Sequence, residues 1–141
     1  MKKYMEFKKT NLNPSGRRTG DCVVRAIMKA LGKNWTDVYL DLSQIGAEEY
    51  SMPNNERVYG RYLKENGFEK QKMKMVYSHQ TIGCDGIKDH NKRLTVEEFA
   101  NQNPLGTYLL HIQGHLTVLI DGTLFDTFDC RHSKVGIYYT N

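Results

Sequence analysis

The chain has 141 residues and a formal net charge of +4 at pH 7, and its nine tyrosines, five phenylalanines and one tryptophan indicate a packed globule. A domain of this length can bury a core without disulfides or metal, so we expect one domain over residues 1–141. The mild charge does not favour a nucleic-acid partner, and no run of 18 apolar residues predicts a membrane span.

The three cysteines, Cys22, Cys84 and Cys130, are an odd number without CxxC spacing. This pattern does not predict a disulfide framework and favours a reducing cytoplasm. The lysines within residues 1–10 precede no apolar segment, so we expect no signal peptide.

Residues 1–18 read as a basic lead-in that ends in a turn-rich patch. Arg17 and Arg18 in it either pair with nearby acids or lie in a solvated loop. Three helices are predicted to follow, with Thr36 as the N-cap of the second. They are expected over residues 22–31, 36–46 and 55–66.

The first of these helices begins with Asp21-Cys22, directly after Gly20. Asp21 is a good N-cap, because its side chain can accept hydrogen bonds from first-turn N–H groups. The helix N-terminus also favours a thiolate at Cys22, which is the nucleophilic form of cysteine. Cys22 is therefore either a nucleophile or a small buried apolar residue.

Residues 68–77 alternate polar and apolar side chains, which suggests an exposed or edge strand. Residues 78–93 have glycine and asparagine breaks and no periodicity, so we expect a long loop. His79, Cys84 and His90 lie in this loop, but their spacing matches no common zinc pattern, and no metal or cofactor is expected.

The last third of the sequence predicts a short helix and then a sheet. Thr95 and Glu98 form a capping-box pattern that opens a helix to about Gln102. Strands are then expected over residues 107–112, 115–120, 123–128 and 134–139. Helices followed by consecutive strands predict an α+β fold with an antiparallel sheet.

The Asp121-Gly122 pair predicts a two-residue hairpin loop. In that register Thr117 pairs with Asp126, and His115 emerges on the same face, within reach of the Asp126 carboxylate. In this register the Asp129 side chain lies on the opposite face of the strand. Asp129 is therefore the reserve acid, which would face His115 only if a bulge shifted the strand. Gly114, just before His115, would let a backbone or substrate approach closely.

A helix-borne cysteine, a histidine opening a strand and an acid on the return strand are the parts of a Cys-His-Asp triad. The stretches 19–27, 114–115 and 120–129 resemble a group of small papain-like proteins of bacteria and phages, many of them uncharacterised. The resemblance extends from about Asn11 to Tyr139. It implies a papain-like fold with Cys22 as nucleophile, His115 as base and Asp126 as third member.

One departure from the papain-like pattern concerns the oxyanion hole. Papain-like enzymes usually carry a glutamine or similar donor a few residues before the cysteine, and residues 16–21 contain no side-chain amide. Asn11 and Asn13 are the nearest candidates. Otherwise the backbone N–H of Cys22 would act with another donor.

The sequence thus predicts a cytoplasmic cysteine hydrolase of peptidase, amidase or isopeptidase type, or an acyl transferase, with a protein or peptide substrate. The lead-in 1–18 and the loop 78–93 would flank its cleft. The alternative is a non-catalytic phage or bacterial accessory or inhibitor protein, which keeps the fold and binds a protein partner through its basic ends and tyrosines.

Overall fold

Four helices and eight strands make up residues 5–141, the part of the chain that the computed structural model describes. The first four residues of the predicted lead-in lie outside it. The helices are α1 (Cys22–Leu31), α2 (Trp35–Glu49), α3 (Glu56–Glu65) and α4 (Val96–Gln102). The strands are β1 (Glu6–Lys9), β2 (Glu69–Lys72), β3 (Val76–Gly83), β4 (Gly86–Lys92), β5 (Thr107–Ile112), β6 (His115–Ile120), β7 (Thr123–Asp126) and β8 (Ile137–Thr140). The predicted α+β class is confirmed.

Six of the strands form one sheet in the order β1-β7-β6-β5-β8-β2. Its central pairs are antiparallel, but β1 runs parallel to β7, so the expectation of a purely antiparallel sheet is wrong at this edge. The polar segment 6–9 gave no strand signal, because three of its four residues are exposed. The other edge strand is β2, which covers only the first part of the exposed or edge strand predicted over residues 68–77, because residues 76–77 belong to β3.

The β6–β7 hairpin has the predicted register. Asp121 and Gly122 both have positive φ, at 48° and 79°, as a two-residue hairpin turn of this kind requires. Ile120 pairs with Thr123, as expected. The strand β7 ends at Asp126, two residues earlier than predicted, and β8 begins at residue 137 instead of 134.

The predicted loop 78–93 is instead a β-hairpin of β3 and β4, which forms a separate two-stranded sheet. We refer to residues 76–92 as the outer hairpin. Both of its faces are largely exposed, so neither strand shows the apolar alternation that reveals a half-buried strand. Cross-strand contacts stabilise the outer hairpin, such as the pairing of Ile82 with Ile87 and the hydrogen bond from Gln80 to Asp89.

Most predicted helix ends agree with the structure, including the capping box of Thr95 and Glu98. The N-cap predicted at Thr36 is wrong. Asn34 caps α2, because its side-chain oxygen accepts the N–H of Asp37. The helix continues to Glu49, beyond the predicted end at residue 46.

The hydrophobic core forms two clusters, one with helices α1–α3 and one with α4. Leu116 and Val118 of β6 belong to the first cluster together with Val23 and Ile27 of α1. Alternation along β6 places Leu119 in the second cluster. This packing fixes the start of α1 beside the start of β6. No helix in the described residues is long and apolar enough to cross a bilayer.

Candidate catalytic site

Cys22 is the first residue of α1 and is half-buried. The chain reaches it through Gly20, whose φ of 69° favours glycine. The predicted capping role of the Asp21 side chain is wrong, since this side chain makes no cap hydrogen bond. The first-turn N–H groups are therefore not covered by a carboxylate, which leaves the positive end of the helix facing the Cys22 region.

The Asp21 carboxylate turns inward and accepts three hydrogen bonds. Its donors are Asn13 Nδ2 at 2.7 Å, Arg25 Nε at 2.8 Å and Trp35 Nε1 at 2.9 Å. Burial would raise the pKa of Asp21, but these donors hold it below its ordinary value. Asp21 therefore ties the lead-in and the start of α2 to the cysteine helix.

His115 and Asp126 meet as the hairpin register predicts. The Nε2 atom of His115 lies 2.6 Å from Oδ2 of Asp126, and only 4% of Asp126 is exposed. The other oxygen, Oδ1, accepts the backbone N–H of Thr127 at 2.7 Å. The carboxylate is therefore fixed from both sides, and it orients the imidazole.

Because Nε2 faces Asp126, Nδ1 is the ring nitrogen left for the thiol of Cys22. Burial by itself would raise the pKa of Cys22, but hydrogen bonds with His115 and with the backbone of Leu116, and the charges of His115 and Arg25, lower it. Burial would also lower the pKa of His115, yet hydrogen bonds and charge from Asp126 and Cys22 raise it to about 9. Both shifts stabilise the thiolate–imidazolium pair relative to the neutral thiol and imidazole.

The reserve acid Asp129 does not join this group. It accepts hydrogen bonds from the backbone N–H and Nε of Arg131, at 3.1 and 2.7 Å. The structure thus brings together Cys22, His115 and Asp126 and leaves Asp129 on the neighbouring turn.

Arg25 links the two buried acids. Its Nε donates to Asp21, and its Nη1 lies 3.7 Å from Oδ1 of Asp126. This residue was not predicted from the sequence, although an acid at the N-cap position and an arginine four residues later are a signal for such a pair. The sequence could not show that both acids, Asp21 and Asp126, are buried.

Phe128 is a second residue of the site that was not predicted from the sequence. Its ring centroid lies 4.9 Å from that of His115, at a tilt of 47°. The ring is 51% exposed, so it stands between the imidazole and solvent on one side. Limiting water there strengthens the bond between His115 and Asp126.

Of the two asparagines predicted for the oxyanion hole, Asn13 has both side-chain N–H groups engaged, whereas Asn11 has one N–H left. Asn13 Nδ2 donates to Asp21 and, at 3.3 Å, to Thr19 Oγ1, while Asn11 Nδ2 donates to the carbonyl of Gly16. Both side chains shape the loop before Cys22, and Asn11 also lines the groove of Cys22 and His115, so it stays a candidate donor. The remaining expectation, in which the Cys22 N–H acts with another donor, is compatible with the uncapped first turn of α1.

Cys22 and His115 line one groove with a volume of about 470 Å³. The lead-in contributes to it as predicted, through Asn11, Arg17 and Arg18. The outer hairpin contributes no lining residue, so the expectation that residues 78–93 flank the cleft is wrong. Gly114 also lines the groove. A Cβ there would meet nothing within 4 Å, so its φ of 66°, not a close backbone contact, calls for glycine.

An apolar recess of about 300 Å³ adjoins this groove. Trp35 and Tyr39, stacked at 5.0 Å between ring centroids, form part of its wall together with Met52. The residues common to groove and recess are Thr19, Gly20, Asp21 and Asn54. A bound chain could therefore extend from Cys22 into an apolar surface.

Within residues 5–141, no group of three or more histidine, cysteine, aspartate or glutamate side chains is placed to hold a metal ion. Comparison with known proteins adds no relative: no family model, no curated protein and no solved structure matches this chain. A function can therefore be inferred only from the geometry of the site.

Proposed function

We propose that the protein is a papain-like cysteine hydrolase or acyl transferase that acts on an amide, thioester or isopeptide bond. The observation that carries this proposal is the 2.6 Å contact between His115 and Asp126 beside the helix-borne Cys22. The lowered pKa of Cys22 and the raised pKa of His115 support it, because both favour an activated thiol.

In the acylation step, the Cys22 thiolate attacks the substrate carbonyl and a C–S bond forms. The negative charge moves to the carbonyl oxygen, near the first-turn N–H groups of α1. When the tetrahedral intermediate collapses, the bond to the leaving group breaks. The His115 imidazolium gives its proton to an amine leaving group, and an acyl-enzyme thioester remains.

In the deacylation step, neutral His115 takes a proton from water or from an acceptor amine. The activated oxygen or nitrogen attacks the thioester, the C–S bond breaks and the Cys22 thiolate returns. Asp126 stabilises the imidazolium formed in this step without taking up a proton. Water as acceptor gives hydrolysis, and an amine gives acyl transfer.

The positions of the three residues on the helix and strands support the papain-like assignment. A nucleophile begins a helix that packs on an antiparallel part of the sheet, and the histidine and acid lie on adjacent strands of it. This is the arrangement that the sequence resemblance implies. A shared fold does not determine the substrate, so the proposal includes amide, thioester and isopeptide bonds.

Reaction with p-nitrophenyl acetate tests the proposal without knowledge of the substrate. We expect a burst of nitrophenolate and one acetyl group on Cys22, detected by peptide mass spectrometry. Cys22→Ala should abolish the burst, and Cys84→Ala, at the exposed cysteine, should retain it. Acetylation at Cys84 alone, or a burst that persists in Cys22→Ala, would contradict the proposal.

A second candidate function is non-catalytic binding of a protein partner, and the outer hairpin favours it. Ile82 and Ile87 form a cross-strand pair near its tip and are 83% and 68% exposed. Exposed apolar pairs of this kind are common at interaction surfaces. If binding is the function, Ile82→Ser with Ile87→Ser should abolish the biological effect while Cys22→Ala retains it.

A further inference from the structure

Two arginines stand at the rim of the candidate catalytic groove. Arg17 and Arg18 are exposed and line it together with Cys22 and His115. Within residues 5–141, neither side chain forms an ion pair with an acid. Of the two alternatives raised by the sequence, pairing with nearby acids is therefore not observed.

The acids close to the groove are already engaged elsewhere. Asp21 is held by three donors, and Asp126 is held by His115 and the Thr127 backbone. Asp129 is paired with Arg131. The two arginines thus give the groove positive charge that no carboxylate of the described chain neutralises.

The loop that carries these arginines is held in place by side-chain hydrogen bonds. Asn13 Oδ1 accepts the backbone N–H of Ser15 at 2.8 Å, and Ser15 Oγ accepts the N–H of Arg17 at 3.2 Å. Asn11 Nδ2 closes the loop on the carbonyl of Gly16 at 3.2 Å. An ordered loop presents its guanidinium groups with a smaller loss of conformational entropy on binding.

We propose that the groove selects an acyl substrate with a carboxylate close to the scissile carbonyl, as in an acidic peptide. This inference depends on the proposed function, since it places the reacting carbonyl at Cys22. The guanidinium group suits the task because its planar fork binds a carboxylate through two parallel hydrogen bonds. The carboxylate comes either from an aspartate or glutamate side chain or from a free chain terminus.

Paired alkylating agents measure this selection directly. Iodoacetate and iodoacetamide differ in charge, so the ratio of their rates at Cys22 reports the local potential. We expect Arg17→Glu with Arg18→Glu to lower the iodoacetate-to-iodoacetamide ratio by about tenfold. Lys64→Glu with Lys74→Glu is the matched control, because it makes the same change in net charge at two exposed lysines that do not line this groove, and it should leave the ratio unchanged.

Two further experiments are needed. One identifies the source of the substrate carboxylate, and the other uses milder single substitutions in case the double variant does not fold. Peptidyl vinyl sulfones with a glutamate or an isosteric glutamine test a side-chain carboxylate, and a free or amidated terminus tests a terminal one. Arg17→Gln and Arg18→Gln, made singly, each lower the preference less than the double reversal does. In the unmodified protein the iodoacetate preference should decrease in 1 M salt, since screening there acts over about 3 Å.

Three outcomes would overturn the inference. The rate ratio could be the same in the double arginine variant, it could decrease equally in Lys64→Glu with Lys74→Glu, or acidic and neutral peptide probes could react at equal rates. The proposed function fails differently, because Cys22 would then react with iodoacetamide no faster than Cys84. That result would remove both proposals, whereas a fast but charge-indifferent Cys22 would remove only this one.

Discussion

The candidate catalytic site and the outer hairpin contain the same kinds of residue in very different settings. Each has a cysteine, histidine and aspartate: Cys22, His115 and Asp126 in the site, and Cys84, His79, His90 and Asp89 in the hairpin. In the hairpin, Cys84 is exposed at the turn, and the imidazoles of His79 and His90 stack on each other at 4.6 Å. In the site, Asp126 is buried and His115 lies between it and the thiol.

From this difference we expect the reactivity of the side chains to depend on burial and fixed partners more than on residue type. A hydrogen bond to a buried carboxylate acts in a low dielectric, where it is stronger than in water. The hairpin partners of the histidines are neutral hydroxyls of Ser78 and Thr81, both exposed. Substitutions made in matched pairs across the two regions can test this contrast.

The largest effect is expected at the histidines. His115→Ala should lower the rate of acylation at pH 7 by about 10³-fold, because it removes the general acid and base. His90→Ala in the outer hairpin should leave the rate within experimental error. Burst kinetics with p-nitrophenyl acetate measure both variants. Equal losses would mean that the imidazole at position 115 has no special role.

The next effect concerns the acid. Asp126→Asn should lower the acylation rate by about 10²-fold or more, since the imidazolium loses its charged partner. The pKa of His115, raised to about 9 in the intact protein, should decrease. The alkaline limb of the pH–rate profile, where His115 loses its proton, should therefore move to lower pH.

Asp129→Asn is the control for this substitution, because Asp129 pairs with Arg131 and does not reach His115. It should leave the rate and the alkaline limb unchanged. A large effect at position 129 together with a silent Asp126→Asn would mean that β7 is shifted by one residue.

A moderate effect on stability is expected from Asp21→Ala. This change leaves the donors of Asn13, Arg25 and Trp35 without their buried acceptor, which should cost about 2 kcal/mol in the free energy of unfolding. Because the pKa of Asp21 is lowered on folding, its contribution is present above the ordinary pKa of 3.8 and is lost as pH falls through the folded value. Urea unfolding at pH 7 and at pH 3 measures both effects.

Asp41→Ala provides a reference, since Asp41 is a partly exposed carboxylate that also accepts two hydrogen bonds, from Tyr62 and Lys33. Its loss should cost less than about 1 kcal/mol at pH 7. An equal cost for the two variants would show that the buried network around Asp21 adds no stability of its own.

The smallest effect is expected from Phe128→Ala. Opening the solvent side of His115 should weaken its bond to Asp126 and lower the acylation rate by about fivefold. Ile82→Ala, which trims a still more exposed apolar side chain of the outer hairpin, should change nothing at Cys22. A rate that is unaffected by Phe128→Ala would show that the ring does not protect the site.

Sequence patterns predicted the parts of the molecule that local rules control. The Asp121-Gly122 turn fixed the register of β6 and β7, and through it the meeting of His115 with Asp126. The start of α1 at Cys22 followed from the same kind of local signal. Turn residues and helix caps act over a few residues, so one sequence is enough to recognise them.

The failures concern contacts between distant segments. Asp21 looks like a helix cap in sequence, but Asn13 and Trp35 draw its carboxylate into a buried network. The outer hairpin looks like a loop, because strands exposed on both faces lack apolar alternation. Strand β1 forms only by pairing with β7, more than 100 residues away along the chain.

The central claim, that His115 and Asp126 activate Cys22, is tested most directly by the alkylation rates of the three cysteines. Iodoacetamide labelling at pH 6, followed by peptide mass spectrometry, gives one rate for each thiol. We expect Cys22 to react fastest, because its pKa is lowered, and Cys130 slowest, because burial raises its pKa to about 11. Equal rates for Cys22 and Cys84, or protection of Cys22, would contradict the account.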